Sequence, residues 1–377
     1  MSKPNVVVVI GTRPEAIKMM PLVNALRASR KLDVSFVTTG QHRGMLDQVL
    51  EVFDEKPDID LNLMRTNQTL ADITANVITS MSELFAKQRP ELVLVHGDTT
   101  TAMATALAAF YAKIPIGHVE AGLRTFDLSK PWPEEWNRVA IDSMADFMFA
   151  PTQGSASNLR AEYNRRGKIY VTGNTGIDAL FTVAAKIESS KNISAALEAR
   201  YHYLRQDYPL LLVTGHRRES FGKGFEQICD ALKRIASTGR CDILYPVHLN
   251  PNIRSVVNQR LEGVENIRLI DPVSYVDMVY LMGRSRILLT DSGGIQEEGP
   301  ALGCPVLVMR DVTERPEAVA TGVVQMVGTD PDTIAGAVEA MLDCPAEYAR
   351  RARAVFPYGD GTASTQIVKA IEENFTS

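Results

Sequence analysis

The sequence predicts an α/β protein built from two Rossmann-like, doubly wound domains that face a cleft. Short runs of Val, Ile and Leu recur along the chain, separated by segments with helical periodicity. The runs are continuous rather than alternating, which is typical of strands buried on both faces of a parallel sheet. Because the runs fall into two series that open alike, we expect two such sheets.

The strands follow one another in a regular order. The first series of apolar runs comprises VVVVI (6–10), VSFVTT (34–39), LVLVH (92–96), IPIGHV (114–119), FMFAP (147–151) and IYVTG (169–173). The second comprises LLLVT (210–214), DILYPV (242–247), IRLID (267–271), RILLTD (286–291), CPVLVM (304–309) and VVQMVG (323–328). Between them, windows such as 69–87 and 99–112 show the apolar spacing of helices. We therefore expect strands and helices to alternate through both halves.

The break between the halves falls in residues 184–208, which carry many charges and no strand pattern. We expect an N-terminal domain over residues 1–183 and a C-terminal domain over residues 184–356. The halves open with VVVVIGTRPEAIK and LLLVTGHRRESFGKG, each a strand followed by glycine and basic residues. Ligands of such sheets bind beyond the carboxyl ends of the strands, so we expect a site in the loops after the strands.

Composition excludes several classes of protein. The 45 acidic residues against 40 basic ones give a net charge of −5, which argues against a nucleic-acid-binding protein. No apolar run approaches the ~18 residues of a membrane span, and VVVVI is too short for a signal peptide. The cysteines form no CxxC pair, so neither a zinc site nor a thioredoxin-type motif is indicated. We expect a soluble, cytoplasmic protein without nucleic-acid or membrane partners.

The loop after the first strand, GTRPE, leads into a helix that carries Lys18. Pro14 suits a first helical turn, where its missing N–H costs nothing. The N–H groups of that turn attract anions, and Arg13 and Lys18 add positive charge. The alternative is an ordinary solvated basic turn.

The first half offers three carboxylates that we expect near one cleft: Asp98 after LVLVH, Glu120 after IPIGHV, and Glu134 in PWPEEW beyond a long loop. Positioned acids and bases of this kind suit proton transfer at carbon. Asp98 could instead cap the following helix. One of Glu134 and Glu135 is expected to be an ordinary acidic helix start, which leaves the other for chemistry.

The second half supplies candidates for binding a diphosphate. His216 begins the turn TGHRRESFGKG, and His248 ends another strand in YPVHLN. Ser292, Gly293 and Gly294 would let backbone N–H groups approach phosphate closely. Glu298, a turn further on, suits ribose hydroxyls, although an acidic residue near a helix N-terminus is favourable in itself.

Two arginines and two histidines complete the candidates. Arg310 and Arg315 flank the loop MRDVTERPE, where either could meet phosphate. His96 and His118 are interpreted as structural, in contrast to His216 and its counterpart His248.

Missing motifs narrow the chemistry. No GxGxxG follows a strand, so the nicotinamide or flavin fingerprint is absent, and GxxxxGK[ST] and HExxH are absent as well. We therefore expect neither a cofactor nor a metal. Basic turns and carboxylates around a nucleotide diphosphate indicate a transferase or an isomerase of sugar nucleotides.

Taken together, the loops carry a family resemblance. The motifs GTRPEAIKM, HGDTTT, HVEAGLRT, PWPEEWNR, TGHRRESFG, YPVHLNPN, DSGGIQEE, MRDVTERPE and PYGDG occur in this order between about residues 5 and 365. The chain thus closely resembles the non-hydrolysing bacterial UDP-N-acetylglucosamine 2-epimerases. The resemblance implies the two-domain GT-B architecture and interconversion of UDP-GlcNAc and UDP-N-acetylmannosamine (UDP-ManNAc). It implies elimination of UDP to a bound 2-acetamidoglucal and its re-addition, without NAD or metal, in a homodimer that feeds cell-envelope polysaccharide synthesis.

The resemblance also implies roles for individual residues. Asp98, Glu120 and Glu134 match essential carboxylates that are candidates for acid–base work, and His216 matches an essential histidine near the diphosphate. The residues that would bind the nucleotide sugar are Arg13, Lys18, Ser292, Gly293, Gly294, Glu298 and Arg315. Which carboxylate removes the C2 proton stays open, as does the preferred N-acetylated UDP-sugar.

Two positions depart from the family pattern. Met278 stands where relatives place an aromatic residue against uracil. The regulatory site of many relatives, which binds UDP-GlcNAc as an activator, resembles Gln41-His42-Arg43 together with His248, but Gly44 replaces a larger polar residue. The segment from about 357 to 377 is expected to return to the first domain, as GT-B tails do.

Three alternatives remain beside the epimerase. A glycosyltransferase of the same fold would depend on an added acceptor. A non-catalytic sensor would bind UDP-GlcNAc without turnover, and a hydrolysing relative would release free ManNAc.

Overall fold

The computed structural model describes residues 3–40, 43–65, 68–162, 167–217 and 221–375, with the backbone alone for residues 43–45. The chain divides into two compact units. Unit 1 comprises Met1–Thr182 and Tyr358–Ser377, and unit 2 comprises Val183–Pro357. Each unit contains one sheet.

Unit 1 is built on a seven-stranded parallel sheet. Its strands are β1 (Asn5–Ile10), β2 (Asp33–Thr38), β3 (Ile59–Asp60), β4 (Leu92–His96), β5 (Ile116–Val119), β6 (Phe147–Ala150) and β7 (Lys168–Val171). They are arranged in the order β3-β2-β1-β4-β5-β6-β7. The helices between them are α1 (Arg13–Ala28), α2 (Arg43–Val52), α3 (Leu70–Gln88), α4 (Thr100–Tyr111), α5 (Glu134–Met144), α6 (Gln153–Ala161) and α7 (Thr175–Ser189), the last of which continues into unit 2.

Unit 2 repeats this plan with six parallel strands. Its strands are β8 (Leu210–Thr214), β9 (Asp242–Pro246), β10 (Ile267–Ile270), β11 (Ile287–Thr290), β12 (Val306–Val308) and β13 (Val324–Met326), in the order β10-β9-β8-β11-β12-β13. Its helices are α8 (Lys191–Arg200), α9 (Lys223–Ser237), α10 (Pro251–Leu261), α11 (Tyr275–Arg284), α12 (Gly293–Ala301), α13 (Pro316–Ala320), α14 (Pro331–Asp343) and α15 (Pro345–Arg351).

The final helix, α16 (Ala363–Phe375), belongs to unit 1 and packs against α1. Asp178 accepts hydrogen bonds from the N–H groups of Ala363 and Ser364, at 3.3 and 2.7 Å, and so caps this helix. At its other end, Glu372 accepts from Ser29 Oγ at 2.7 Å. The helix is therefore attached to unit 1 at both ends.

Burial explains why the strands read as continuous apolar runs. Along β1, Val6 to Ile10 are all buried, and Val8 pairs in register with Phe36 of β2 and Leu94 of β4. Helices cover both faces of such a sheet, so neither face selects polar residues. The predicted class, α/β with two Rossmann-like sheets, is confirmed.

Each sheet has one point at which the strand order reverses, between β1 and β4 in unit 1 and between β8 and β11 in unit 2. Loops that follow strands at such a point are the usual place for a ligand. The expected strands 92–96 and 210–214 flank these points with the predicted bounds. Among the residues that the structure describes, no helix combines the length and apolar character that crossing a bilayer requires.

Candidate functional site

In unit 1, the loops after β1 and β4 are joined by a buried glutamate. Glu15 accepts from the N–H groups of Gly11 and Thr12 at 3.1 and 2.6 Å, and from Thr99 Oγ1 at 2.8 Å. Burial raises the pKa of Glu15. At Gly11, a Cβ atom would lie 2.8 Å from Thr101 Oγ1, so the loop requires glycine for its close approach to α4. Glu15 therefore holds the two loops together.

Glu120 lies just after β5, and side chains from several elements contact its Oε2 atom. The Lys18 ammonium forms an ion pair with it, Asn174 Nδ2 donates to it at 3.0 Å, and His96 Nε2 lies 3.5 Å away. The backbone of Glu120 is left-handed, with φ +70°. Such a conformation costs a non-glycine residue on the order of 1–3 kcal/mol and is concentrated at functional sites. Lys18, predicted to line the sugar-nucleotide site, thus lies against a predicted acid–base residue.

Asp98 follows β4 and is held from α5. Arg138 forms an ion pair with its carboxylate, and Asn137 Nδ2 donates to its backbone oxygen at 2.8 Å. Thr99 caps α4 by accepting from Ala102 N at 3.0 Å, so Asp98 is not the cap of that helix. The Asp98 side chain is accordingly available for a role other than capping.

The two glutamates that start α5 differ in their surroundings. Glu135 is 1% exposed and accepts from the N–H groups of Thr125 and Phe126 at 2.9 and 3.0 Å. It also pairs with Arg138 at 3.1 Å. The Oε2 atom of Glu134 is buried but has no hydrogen-bond partner among the described residues. Glu135 is therefore the structural residue of the two, and Glu134 keeps an unsatisfied carboxylate oxygen.

His118 belongs to a buried ionic network. Its Nδ1 lies 2.5 Å from Asp142 Oδ1, and its Nε2 donates to the Gly97 carbonyl at 2.7 Å. Asp142 also pairs with Arg124 at 2.7 Å and accepts from Gly122 N at 3.2 Å. Burial would raise the pKa of Asp142, but His118 and Arg124 outweigh it and lower that pKa. The structural interpretation of His118 agrees with this environment.

His96 does not fit the same interpretation. It is buried beside Glu120, and neither of its ring nitrogens has a hydrogen-bond partner in the described part of the chain. The sequence-based interpretation took it as structural because a lone histidine more often has a structural role. The signal that pointed to the site was its neighbour Asp98, two residues further along the same loop.

In unit 2, Asp291 organises the turn after β8. It accepts from the N–H groups of His216 and Arg217 at 2.7 and 2.8 Å, and His216 Nδ1 lies 3.1 Å from its Oδ1. Although burial raises the pKa of Asp291, these contacts outweigh it and lower that pKa. The His216 side chain remains 41% exposed, so its ring is accessible to a ligand.

His248 stacks on His216. The two rings have centroids 5.9 Å apart and an interplanar angle of 26°. Burial and the neighbouring His216 both lower the pKa of His248. The predicted regulatory histidine thus lies against the predicted diphosphate histidine, within one group of side chains.

The start of α12 is open to a ligand. Its N-cap, Ser292, makes no side-chain capping hydrogen bond. A Cβ at Gly293 would lie 3.1 Å from Arg315 Cζ, whereas a Cβ at Gly294 would meet only Ser292 Oγ at 3.9 Å. The first N–H groups of a helix have no partners within it, so this turn can bind an anion.

Arg310 and Arg315 of unit 2 form ion pairs with neighbouring glutamates. Arg315 pairs with Glu297 at 2.9 Å and with Glu314 at 3.3 Å, and Arg310 pairs with Glu314 at 3.2 Å. Burial raises the pKa of Glu314, but Arg315 and Arg310 overcome this effect and lower it to about 2. Arg315 therefore lies against the start of α12, where it pairs with Glu297 and approaches Gly293 closely.

The remaining predicted residues have these positions. Glu298 accepts from Tyr275 Oη at 2.9 Å, and Met278 is half-buried on α11, which begins at Tyr275. Arg13 is half-buried at the start of α1, where burial lowers its pKa. Gln41 and His42 lie outside the described residues, as does the side chain of Arg43.

A metal centre would need clustered ligands. Over the described ranges, no group of three or more His, Cys, Asp and Glu side chains is arranged to hold a metal ion.

Comparisons with known proteins place the chain in one family. The profile of that family, described as UDP-N-acetylglucosamine 2-epimerase, matches residues 24–372. The UDP-N-acetylglucosamine 2-epimerase of Escherichia coli K12 is 52% identical over 370 residues, which cover 98% of each chain.

Solved structures agree with this assignment. A UDP-GlcNAc 2-epimerase from Neisseria meningitidis bound to UDP-GlcNAc is 45% identical, with a TM-score of 0.94 over 98% of this chain and 100% of that one. The enzyme from Methanocaldococcus jannaschii in complex with UDP-GlcNAc and UDP is 32% identical, with a TM-score of 0.83 over 98% and 99% of the two chains. The chain therefore belongs to the UDP-N-acetylglucosamine 2-epimerase family, a family of carbohydrate epimerases and hence of isomerases.

Proposed function

We propose that the protein interconverts UDP-GlcNAc and UDP-ManNAc by eliminating UDP to a bound 2-acetamidoglucal and adding it back. The observation that carries the proposal is the Glu120 carboxylate, held at the carboxyl edge of the sheet by Lys18 and Asn174. Relatives that are about half identical over the whole chain are named UDP-N-acetylglucosamine 2-epimerases. Family membership and a positioned carboxylate thus support the same reaction.

The reaction needs acids and bases on both faces of the sugar. One carboxylate accepts the C2 proton. The C2–H electron pair forms a C1–C2 double bond as the C1–O bond breaks, and the electrons of the C1–O bond leave with UDP. On the return path, UDP adds to C1 and a proton is delivered to the opposite face of C2. Asp98, Glu120 and Glu134 are the candidate acids and bases for these two proton transfers. A positioned acid or base accelerates such a transfer about 10²–10⁴-fold.

Glu134 is well suited to one of the transfers. Its buried Oε2 has no partner among the described residues, which is costly unless a substrate group completes it. Glu120 is already seated by a cation and an amide donor, which favours its ionised form. The two glutamates therefore differ in their partners, which suits them to different roles in the two transfers.

UDP binding is the task of unit 2 in this proposal. Negative charge develops on the bridging oxygen as UDP leaves, and donors near that oxygen stabilise the transition state most. The N–H groups at Gly293 and Gly294, the His216 ring and Arg315 are such donors. Glu298 contacts the ribose, and Met278 packs near uracil through its polarizable sulfur.

Several finer features belong to the same proposal. The enzyme works in the cytoplasm as a homodimer without cofactor, and its product enters cell-envelope polysaccharide synthesis. UDP-GlcNAc also acts as an activator through the segment Gln41-His42-Arg43 and His248. These features come from the family resemblance, and each is separable from the reaction itself.

The decisive experiment incubates the purified protein with UDP-GlcNAc in D2O. We expect a mixture with the manno epimer, and deuterium at C2 of the product. Turnover that requires an added acceptor would favour the glycosyltransferase, and free ManNAc would favour the hydrolase. Binding of UDP-GlcNAc without deuterium uptake or epimer formation would contradict the proposal and favour a sensor.

A further inference from the structure

A structural role does not explain the environment of His96 in unit 1. It ends β4, is 4% exposed, and has two buried ring nitrogens without hydrogen-bond partners among the described residues. Buried polar atoms in native proteins are nearly always paired. Leaving a donor or an acceptor unsatisfied costs about 1–3 kcal/mol. An exception next to a reactive group calls for a chemical role.

The groups that face His96 suit proton exchange. Nε2 lies 3.5 Å from Glu120 Oε2, the atom that Lys18 and Asn174 also contact. Glu15, from the first turn of α1, interacts electrostatically with the imidazole from within the protein. Two carboxylates, from α1 and the loop after β5, therefore interact with His96, and the Lys18 ammonium pairs with one of them.

We propose that His96 exchanges protons with Glu120 during the epimerisation, holding the proton that Glu120 removes from the sugar. This role rests on the proposed function. Glu120 accepts the C2 proton as a carboxylate and becomes a neutral carboxyl group. That carboxyl group passes the proton to the lone pair of His96 Nε2, which forms an imidazolium ion and restores the carboxylate.

Electrostatics favours the second step, in which the proton passes from Glu120 to His96. The Lys18 ammonium beside Glu120 stabilises the carboxylate, so a neutral carboxyl group there readily gives up its proton. The imidazolium ion then faces the restored Glu120 carboxylate and Glu15. No oxidant or additional reactant is needed, because only a proton moves between the two side chains.

The role has a consequence for isotopes. Without His96, the proton removed from C2 stays on Glu120 and returns to the same sugar. With His96, the proton is held as an N–H of the imidazolium ion, which exchanges with solvent, so the proton that returns to the sugar comes from solvent. The ratio of deuterium in recovered UDP-GlcNAc to epimer formed therefore reports the exchange, whereas loss of folded protein does not change this ratio.

The test substitution is His96→Gln, which keeps a hydrogen-bonding side chain but cannot titrate. We expect kcat to fall about 100-fold with KM changed less than about threefold, and the deuterium ratio to fall about fivefold. His118→Gln is the matched control, since it removes a buried histidine of the neighbouring strand β5 that is bonded to Asp142. In His118→Gln, the ratio of deuterium in recovered UDP-GlcNAc to epimer formed should stay within about twofold of the wild-type value, even if the variant is less stable.

The outcomes separate this role from the function on which it rests. A wild-type protein that forms neither epimer nor deuterated sugar overturns both. A wild type that forms both, with His96→Gln unchanged in kcat and in ratio, overturns the role of His96 alone. If His96→Gln does not fold, His96→Asn replaces it. The wild type also gives a second measurement: kcat in H2O–D2O mixtures should curve with deuterium fraction, and a straight line contradicts the exchange.

Discussion

The side-chain amide of Asn174 donates a hydrogen bond to Glu120 Oε2 at 3.0 Å. Backbone contacts also fix this residue. Its N–H donates to the Tyr358 carbonyl at 2.7 Å, and its Oδ1 accepts from Gly176 N at 2.8 Å. The position of the amide is therefore set by backbone groups, and only its Nδ2 atom serves Glu120.

Asn174→Asp should test the hydrogen bond from Asn174 to Glu120 separately from the other contacts of Asn174. Aspartate keeps the acceptor for Gly176 but presents a negative oxygen to Glu120. A second negative charge favours the protonated form of Glu120, so the acid limb of the kcat/KM profile should move to higher pH by about one unit. The thermal midpoint should change little because the contacts at Gly176 and Tyr358 persist. A pH–rate profile that superimposes on the wild type would refute this relationship.

Glu134→Gln and Glu135→Gln should have opposite signatures. Glu134→Gln should lower kcat about 10²–10⁴-fold while UDP affinity stays within about twofold. Glu135→Gln should lower the free energy of unfolding by about 3–5 kcal/mol, because Arg138 loses a buried partner. Steady-state kinetics, UDP titration and urea denaturation of both variants decide the matter. Normal turnover in Glu134→Gln would remove that residue from the chemistry.

Gly294→Ala and Gly293→Ala should test whether α12 binds the diphosphate. The new Cβ of Gly294→Ala meets open space, so the variant should be as stable as the wild type yet bind UDP about tenfold more weakly, a change of 1.4 kcal/mol. Gly293→Ala should weaken binding as well, since its Cβ displaces Arg315. UDP is titrated calorimetrically against both variants, and thermal melts give their stability. Undiminished UDP affinity in Gly294→Ala would exclude a close approach of phosphate there.

Glu314→Gln should make stability less sensitive to acid. The pKa of Glu314 is lowered from 4.5 to about 2, so its ionised form stabilises the native state above pH 4.5 and this contribution is lost as the pH falls towards 2. The variant should therefore be about 3 kcal/mol less stable at pH 7, with a difference that shrinks below pH 4.5. Urea denaturation across this range measures the difference. An equal difference at every pH would point to lost packing instead.

Much of the fold could be predicted because strands that are buried on both faces of the sheet appear in the sequence as continuous apolar runs. The strands Leu92–His96 and Leu210–Thr214 have the bounds that their apolar runs indicate. The strand Ile59–Asp60 was not predicted, since two residues carry no periodicity and its pairing with β2 is a tertiary contact. Helix starts were similarly ambiguous where two good caps adjoin, and Thr99 rather than Asp98 caps α4.

The candidate site was less predictable, because partners distant in sequence decide each side chain's environment. No local pattern shows that Glu135 bonds to the backbone ten residues earlier while Glu134 keeps an unsatisfied oxygen. His96 and His118 look equivalent in sequence, yet only His118 meets Asp142. The roles of Lys18 and Asn174 towards Glu120 depend on contacts across 102 and 54 residues.

The packing of α16 against α1 affects when unit 1 can finish folding during synthesis. Val183–Pro357 is continuous and is synthesised in full before Ala363–Phe375 exists. Proteins made vectorially usually fold from the N-terminus. Here unit 1 can be completed only after unit 2 has been synthesised, because its last helix follows Val183–Pro357 in the chain. During that delay the surface of α1 that α16 covers is exposed, which makes it a natural target for chaperones in the nascent chain.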